Sequence, residues 1–297
     1  MKNIKNPSQA ARTLRLRFAP ALIAFAMATG LIAGTAPTLA AANTVKLYAL
    51  DCGTLDMFDT AAFSSSGQFD GQRATLANPC FLIRHPKGDL LWDTGLDQSL
   101  ADKPDGDLAP WGHTKMATKL TDQLGQLGLA PADIEYLSLS HYHADHSGNT
   151  GLFSASTFLV NATEHAFMFS AEMRAAPEAF APYALLETAR TVTFETSHDV
   201  FGDGTAVIHS MPGHTPGHSV LLLRLENAGA VLLTGDLYIM SASRTLQAVP
   251  SFNSDKAATL RSMKQFEILA DITKARVVIQ HEESDFKSLP AFPAFLD

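Results

Sequence analysis

Six consecutive residues, 141–146, have the sequence His-Tyr-His-Ala-Asp-His and bring three imidazoles and a carboxylate into one short stretch. Imidazole suits zinc, iron, nickel and copper, and a carboxylate adds a hard oxygen ligand. On an extended segment His141 and His143 point to the same side, whereas Asp145 and His146 follow once the chain begins to turn. Burying so many polar groups without a metal partner would cost free energy, so packing alone does not explain them. The spacing therefore predicts a dinuclear metal site, of the kind that hydrolyses esters, amides and phosphates.

Three further candidate ligands each follow a run of residues that predicts a strand. His214 lies in Gly-His-Thr-Pro-Gly-His over 213–218, Asp236 follows Leu-Leu-Thr-Gly, and His281 follows Val-Val-Ile-Gln. A lone His or Asp in such a place is more often a cap or turn residue. Seven ligands together are enough for two metal sites that each keep an open position. The candidate metal ligands are His141, His143, Asp145, His146, His214, Asp236 and His281.

Apolar periodicity predicts the elements that would present these ligands. Short apolar runs between turn residues predict strands, and one of them, 134–139, ends just before the His cluster. Apolar residues at helical spacing predict helices over 114–127 and 254–269, the second capped by Asn253 or Ser254. No low-complexity linker divides the chain. We expect one α/β domain with mixed sheets and helices outside them.

The first 42 residues have the pattern of an export signal. They hold five basic residues and no acidic one, residues 18–34 carry no charge, and small residues near 38–42 offer a cleavage site. An uncleaved membrane anchor is the alternative, but the apolar run is short and is interrupted by Gly30, Gly34 and Pro37. We expect a signal peptide over 1–42, a domain over 43–297, a periplasmic or secreted protein, and no stable membrane anchor after cleavage.

Charge and cysteine content narrow the classes of partner. Residues 43–297 hold 17 basic and 30 acidic residues, a net charge of −13, which is unlike the basic stripes that bind nucleic acid. Cys52 and Cys80 are the two cysteines of the chain. They are either a disulfide, as an oxidising compartment allows, or two buried small hydrophobes. A homodimer is a further possible assembly of this chain.

The order of these motifs resembles the metallo-β-lactamase superfamily. The resemblance runs from residues 92–95, Trp-Asp-Thr-Gly, to His281. It implies an αββα sandwich, with two mixed sheets inside, helices outside and two metals at one edge. It also implies that Asp93 supports the cluster and that Asp236 bridges the metals. The first metal is then held by His141, His143 and His214, and the second by Asp145, His146 and His281.

Several stretches are more specifically similar to the N-acyl homoserine lactonases, namely residues 47–53, 79–86, 235–238 and 279–281. That similarity implies a small-molecule lactone substrate, opened by a hydroxide that bridges two divalent metals, zinc or else iron, manganese or cobalt. It makes Asp145, Asp236 and Tyr238 the candidate catalytic residues. In the best-known members a Tyr follows the bridging Asp by three residues, whereas Tyr238 follows by two. Tyr238 is therefore either catalytic through a shifted loop or a packed aromatic.

Other interpretations of the chain stay open at this point. The same scaffold serves β-lactamases and ester or phosphotriester hydrolases, although the β-lactamases with this His pattern usually lack a bridging Asp where Asp236 stands. A non-catalytic metal-binding or signal-binding protein is a further alternative, but an unused ligand set costs stability without metal. The aromatic and methionine residues of 167–183 either line an acyl-chain groove or pack on the core.

Overall fold

The computed structural model describes residues 44–297. The predicted signal peptide, 1–42, lies outside the described residues. Among the helices of the described part, none is long and apolar enough to cross a membrane.

Eight strands form the first sheet. In chain order they are β1 (Lys46–Met57), β2 (Ala74–His85), β3 (Gly88–Trp92), β4 (Asp107–Ala109), β5 (Gly112–Lys115), β6 (Tyr136–Ser138), β7 (Thr157–Asn161) and β8 (Thr191–Phe194). Their order across the sheet is β4-β5-β1-β2-β3-β6-β7-β8. Strands β3, β6, β7 and β8 pair in parallel, and the other pairs are antiparallel.

Five strands form the second sheet. They are β9 (Ser197–Asp199), β10 (Ala206–Ser210), β11 (Ser219–Leu225), β12 (Gly229–Leu233) and β13 (Arg276–Val278). Their order is β13-β12-β11-β10-β9. Strand β11 is antiparallel to both β10 and β12, and β12 is parallel to β13. Strands β10, β12 and β13 therefore run in one direction and end at the same edge of the sheet.

Eight α-helices lie within residues 44–297, and several of them cover the outer faces of the two sheets. They are α1 (Leu120–Gln126), α2 (Ala144–Ser147), α3 (Ala162–Met168), α4 (Ala171–Arg174), α5 (Pro177–Phe180), α6 (Ser241–Leu246), α7 (Lys256–Thr273) and α8 (Glu283–Lys287). Helix α7 begins after Asp255, whose side chain accepts a hydrogen bond from the amide of Ala258. The predicted caps Asn253 and Ser254 were therefore wrong by one or two residues.

Central strands are apolar on both faces because each sheet is covered on both sides. In β1, Leu47 and Ala49 lie in the core between the sheets, whereas Tyr48 and Leu50 lie in the core under the helices outside the first sheet. In β12, Leu232 likewise faces the core under α7. This layering confirms the predicted αββα sandwich with two mixed sheets.

The predicted helix over 114–127 was wrong in its first half. Residues 112–115 form β5, which pairs with β1 and β4, and α1 begins only at Leu120. Backbone pairing with two strands outweighed a helical spacing of apolar side chains, which is a weak signal over one or two turns. The segment 167–183 packs on the core, because Met168, Phe169, Met173 and Tyr183 are buried there and the half-buried Phe167 and Phe180 pack against them.

The structure pairs Cys52 and Cys80 in a disulfide. Cys52 lies in β1 and Cys80 in the neighbouring strand β2, with their Cα atoms 5.7 Å apart, a separation suited to the bond. Both are fully buried in the core outside the first sheet. Of the two interpretations of these cysteines, the structure therefore shows the cross-link.

Candidate metal centre

The predicted ligands meet at the edge where strands of both sheets end. The segment 141–146 follows β6 and forms the start of α2, His214 follows β10, Asp236 follows β12, and His281 follows β13. Because these strand ends lie at the same edge, residues separated by up to 140 positions come within a few ångströms. Within the described residues, the side chains fall into two groups whose ligating atoms lie within 4.8 Å of one another.

The first group contains His141, His143, His214 and Asp236. Nε2 of His141 lies 2.9 Å from Nδ1 of His143 and 3.2 Å from Nε2 of His214. Nε2 of His214 lies 3.1 Å from Nδ1 of His143. Three ring nitrogens thus form a small triangle, which is the face that three imidazoles present to one tetrahedral metal ion.

The second group contains Asp145, His146 and His281. Oδ2 of Asp145 lies 3.7 Å from Nε2 of His146 and 3.6 Å from Nε2 of His281. Both imidazoles are buried, but the Asp145 side chain keeps 24% of its surface exposed. Asp145 is therefore the group of this cluster that solvent or a substrate can reach.

Asp236 faces both groups at once. Its Oδ1 lies 3.1 Å from Nε2 of His146 and 3.1 Å from Nε2 of His281. Its Oδ2 lies 3.4 Å from Nε2 of His214 and 3.9 Å from Nε2 of His141. One carboxylate oxygen is thus directed at each group, which is the arrangement of a bridging ligand.

Hydrogen bonds behind the rings fix which nitrogen carries the proton. Nδ1 of His214 donates to Asn253, Nδ1 of His281 donates to the carbonyl of Ala77, and Nδ1 of His146 donates to Asp93. With the proton on Nδ1, the Nε2 lone pair of each ring points into the centre. Lone pairs and carboxylate oxygens that converge without protons between them repel one another unless a cation lies among them.

Buried atoms without partners support the same conclusion. Nε2 of His146 and Oδ1 of Asp236 are buried, and within residues 44–297 neither makes a hydrogen bond of good geometry. Burying such atoms unpaired is costly, and a metal ion satisfies both. The residues present therefore fit divalent metal ions.

The protonation states of the first group also favour metal binding. Burial lowers the pKa of His141 well below its usual value, and the neighbouring imidazoles of His146 and His143 lower it further. Burial likewise lowers the pKa of His214 well below its usual value. Burial raises the pKa of Asp236, but the facing imidazoles, His281 and His146 foremost, outweigh it and hold this pKa well below its usual value. Neutral imidazole and ionised carboxylate are the forms that bind metal.

Asp93, at the end of β3, organises the second layer of the centre. Its Oδ1 accepts a hydrogen bond from the backbone amide of Ser140 at 2.6 Å. Its Oδ2 accepts from the Ser140 hydroxyl at 2.9 Å, from Nδ1 of His146 at 3.0 Å and from the side-chain amide of Gln280 at 2.7 Å. It is fully buried and has a φ of 59°. One carboxylate thus holds residues on both sides of the His cluster and orients the ring of His146, the supporting role expected from the resemblance.

Comparison with known proteins gives the family. The model of the metallo-β-lactamase superfamily matches residues 74–281, a span that contains every predicted ligand. The chain belongs to this superfamily.

Relatives within the superfamily include acyl homoserine lactonases. The chain is 31% identical over 262 residues to the N-acyl homoserine lactonase AttM of Rhizobium radiobacter, covering 84% of this chain and 99% of the relative. It is 27% identical over 261 residues to the N-acyl homoserine lactonase AiiA of Bacillus thuringiensis subsp. kurstaki, covering 84% and 98%. It also resembles a solved N-acyl homoserine lactone hydrolase with the product N-hexanoyl-L-homoserine at its catalytic metal centre. That likeness has a TM-score of 0.70 and 26% identity over 84% of this chain and 98% of the other.

Within this metallo-β-lactamase centre, His218 acts as a support and not as a ligand. Its Nδ1 donates to the carbonyl of Met211 at 3.1 Å, and its Nε2 accepts the amide of Asp236 at 3.0 Å. Gly235 has a φ of 50°, and a Cβ there would press on His218 and Ser140 at 2.7 Å. The close packing of His218 under this turn places the carboxylate of Asp236.

The structure places Tyr238, a predicted catalytic residue, in the core. This side chain is 1% exposed and packs with Phe266 in the core under α7. Its hydroxyl donates to Glu267 at 2.9 Å, and Glu267 in turn pairs with Arg244. Of the two alternatives, Tyr238 is the packed aromatic, because a shift of one residue after Asp236 turns the side chain into the core. Ile239, at the expected spacing, is also buried and carries no polar group.

An aromatic wall that the sequence did not indicate stands beside the first group. The ring of Phe252 lies 5.7 Å from that of His214 and 6.3 Å from that of His143, and its side chain is 47% exposed. Phe63 packs against it at 6.2 Å. The amide of Ser251 donates to the carbonyl of Ala62 at 2.8 Å, so two distant loops hold this wall together.

The sequence did not indicate the polar residues behind the ligands. Asn253 resembled a helix cap, yet its Oδ1 accepts from Nδ1 of His214. Gln280 could have been noticed because it directly precedes His281 in a run that predicts a buried strand, and the structure buries it. Glu164 resembled an ordinary acidic residue in the first turn of a helix. Their contacts join positions far apart in the chain, which local patterns do not predict.

Proposed function

We propose that this protein is a dinuclear metal-dependent lactonase that opens the ring of N-acyl homoserine lactones. The placement of the two Asp236 oxygens, one toward each group of ligands, carries this proposal, because a bridging carboxylate is what a two-metal hydrolase needs. Similarity to acyl homoserine lactonases over almost their whole length supports the substrate class. Within residues 44–297, no contact specifically favours β-lactam or phosphotriester substrates.

In this proposal His141, His143 and His214 would hold the first metal, Asp145, His146 and His281 would hold the second, and Asp236 would contribute to both. Bound divalent cations supply Lewis acidity and lower the pKa of a water ligand, to about 7 for zinc. Zinc is the proposed metal because three imidazoles in a triangle suit it, and iron, manganese and cobalt are the alternatives because mixed imidazole and carboxylate ligands discriminate poorly among these metals.

The chain's own groups then orient the reaction. The hydrogen bonds of Asp93, Asn253 and the Ala77 carbonyl keep a proton on Nδ1 of three ligand rings, so Nε2 is the atom with which each of these rings would hold a metal ion. Opening the ring expels an alkoxide, which must gain a proton. Asp145, the partly exposed carboxylate of the centre, is placed to accept a proton that the attacking water gives up and to pass it to the alkoxide. Phe252, which lies beside the first group of ligands, offers an exposed apolar surface for the acyl chain.

The proposal includes export to the periplasm or the medium, with a signal peptide over 1–42. The disulfide between Cys52 and Cys80 supports it, since such bonds persist in oxidising compartments and are rare in the cytosol. The signal-like residues at the start of the chain support it independently. N-terminal sequencing of the protein recovered from the periplasm tests it, and a protein that stays in the cytosol with an intact N-terminus would contradict it.

Hydrolysis of N-hexanoyl homoserine lactone by wild type, Asp236→Asn and Asp89→Asn tests the activity. Asp89 is a matched control because it is also a buried carboxylate but lies at the start of β3, whereas the end of β3 leads to the metal centre. Asp236→Asn removes the bridging charge, and several kcal/mol of transition-state stabilisation depend on the metals, so we expect a loss of at least about 100-fold. The Asp89→Asn enzyme should keep its activity. Equal activity of the three proteins, or an inert wild type with two metals bound, would contradict the proposal.

A further inference from the structure

Glu164 is a buried carboxylate that the proposed reaction does not use. It is 2% exposed and lies in the first turn of α3, directly after β7. The side chain of Asn161 caps this helix and accepts from the amides of Thr163 and Glu164 at 2.8 and 3.4 Å. Glu164 is therefore held firmly at its backbone, and its side chain points into the protein behind the metal centre.

The two oxygens of Glu164 bind two different segments of the centre. Oε1 accepts the amide of Tyr142 at 3.0 Å, and Tyr142 lies between His141 and His143. Oε2 accepts the amide of Gly217 at 2.7 Å, in the turn 213–218 that contains His214. One side chain thus joins the two segments that supply the three imidazoles of the first group.

The turn fits closely onto α3. A Cβ on Gly217 would overlap the backbone nitrogen of Glu164 and the side-chain oxygen of Asn161. Asn161 also donates to the carbonyl of Glu195 at 3.0 Å and to the hydroxyl of Ser210, at the end of β10, at 3.1 Å. The start of α3 is therefore a rigid support for the turn.

Burying this carboxyl costs free energy unless both of its oxygens accept hydrogen bonds. Burial raises the pKa of Glu164 to about 7, against the lowering effect of the hydrogen bond from Gly217. A glutamine of the same shape has one acceptor oxygen and one donor nitrogen, so it can satisfy only one of the two amides. The carboxylate is the side chain of this length that accepts from both.

We infer that Glu164 is a positioning residue of the metal centre. It fixes the separation between the segment 141–143 and the turn 213–218, so that Nε2 of His141, Nδ1 of His143 and Nε2 of His214 converge on one cation. The inference rests on the proposed function in that the cluster binds metal. Residues that orient ligands in this way typically contribute 10- to 100-fold in metal affinity.

Metal affinity of Glu164→Gln tests the inference. Apo protein is titrated with Zn²⁺ against a chromophoric chelator, and Co²⁺ absorption spectra report ligand geometry. His214→Ala and His281→Ala give the spectra that mark loss of the first and second metals. For Glu164→Gln we expect the dissociation constant of the first metal to rise about 10- to 100-fold, with the second changed less than threefold. Glu164→Asp, one methylene shorter, should lie between this variant and wild type.

Asp89→Asn is the control for a general loss of stability. It changes a buried carboxylate that accepts from Nε of Arg84 at 3.0 Å, far from the metal centre. It should lower the melting temperature without changing either dissociation constant. Unchanged or equally weakened binding of the two metals in Glu164→Gln would overturn the inference, as would failure of both Glu164 variants to fold. A wild type that binds two metals without opening lactones would refute the proposed function and leave the role of Glu164 standing.

Discussion

Removal of the disulfide gives a prediction whose size follows from the structure. Cys52 and Cys80 are 28 positions apart, and a cross-link that closes a loop of this length lowers the entropy of the unfolded chain. The chain-entropy relation gives about 3.6 kcal/mol at 25 °C. A domain of this size has an unfolding entropy of about 0.5 kcal/mol/K, so the melting temperature should fall by about 7 °C in Cys52→Ala/Cys80→Ala.

Calorimetry of metal-loaded wild type and the double variant measures this difference, with mass spectrometry to count free thiols. Both sulfurs are fully buried, so the variant also loses some packing. Wild type reduced by dithiothreitol isolates the cross-link and should lose most of the same stability. Two free thiols in wild type that has not been reduced would refute the reasoning. A difference in unfolding free energy below about 1 kcal/mol between wild type and the double variant would also refute it, since the chain-entropy relation requires several times that amount.

Three further predictions concern the surroundings of the centre. Tyr238→Phe removes one buried hydrogen bond to Glu267 and should cost about 1–2 kcal/mol of stability with kcat changed less than about twofold; a 100-fold loss of kcat would restore a catalytic role. Phe252→Ala should raise KM for long-chain acyl homoserine lactones more than for short-chain ones and leave kcat nearly unchanged. An equal rise in KM at all chain lengths would contradict a contact between Phe252 and the acyl chain. Chelation of the metals should lower stability by about 4 kcal/mol for each metal present at a thousand times its dissociation constant, and an unchanged melting temperature after complete removal would argue against metal binding.

The main features of the fold could be predicted because each is encoded locally. Runs that are apolar on both faces predicted the central strands, and β12 contains such a run directly before Asp236. The candidate ligands were found because seven residues of types that bind zinc follow predicted strands, although each one alone is more often a cap or turn residue. The crowding in 141–146 made that signal strong.

What the sequence did not reveal depends on contacts between distant segments. Strand β5 pairs with β1 across more than 50 positions, and this pairing overrode the helical spacing of 114–127. The direction of Tyr238 depends on where the chain turns after Asp236, which a spacing of two or three residues does not fix. Glu164 had the local signature of a helix start, and its role emerges only from its bonds to Tyr142 and Gly217.

The central claim is that two metal ions act together at one centre. The most direct test titrates apo protein with Zn²⁺ and follows opening of N-hexanoyl homoserine lactone at each ratio of metal to chain. We expect little activity before the first equivalent is bound and full activity at two, with Asp236→Asn at least about 100-fold less active at every ratio. Full activity at one equivalent, or activity that persists without metal, would contradict it.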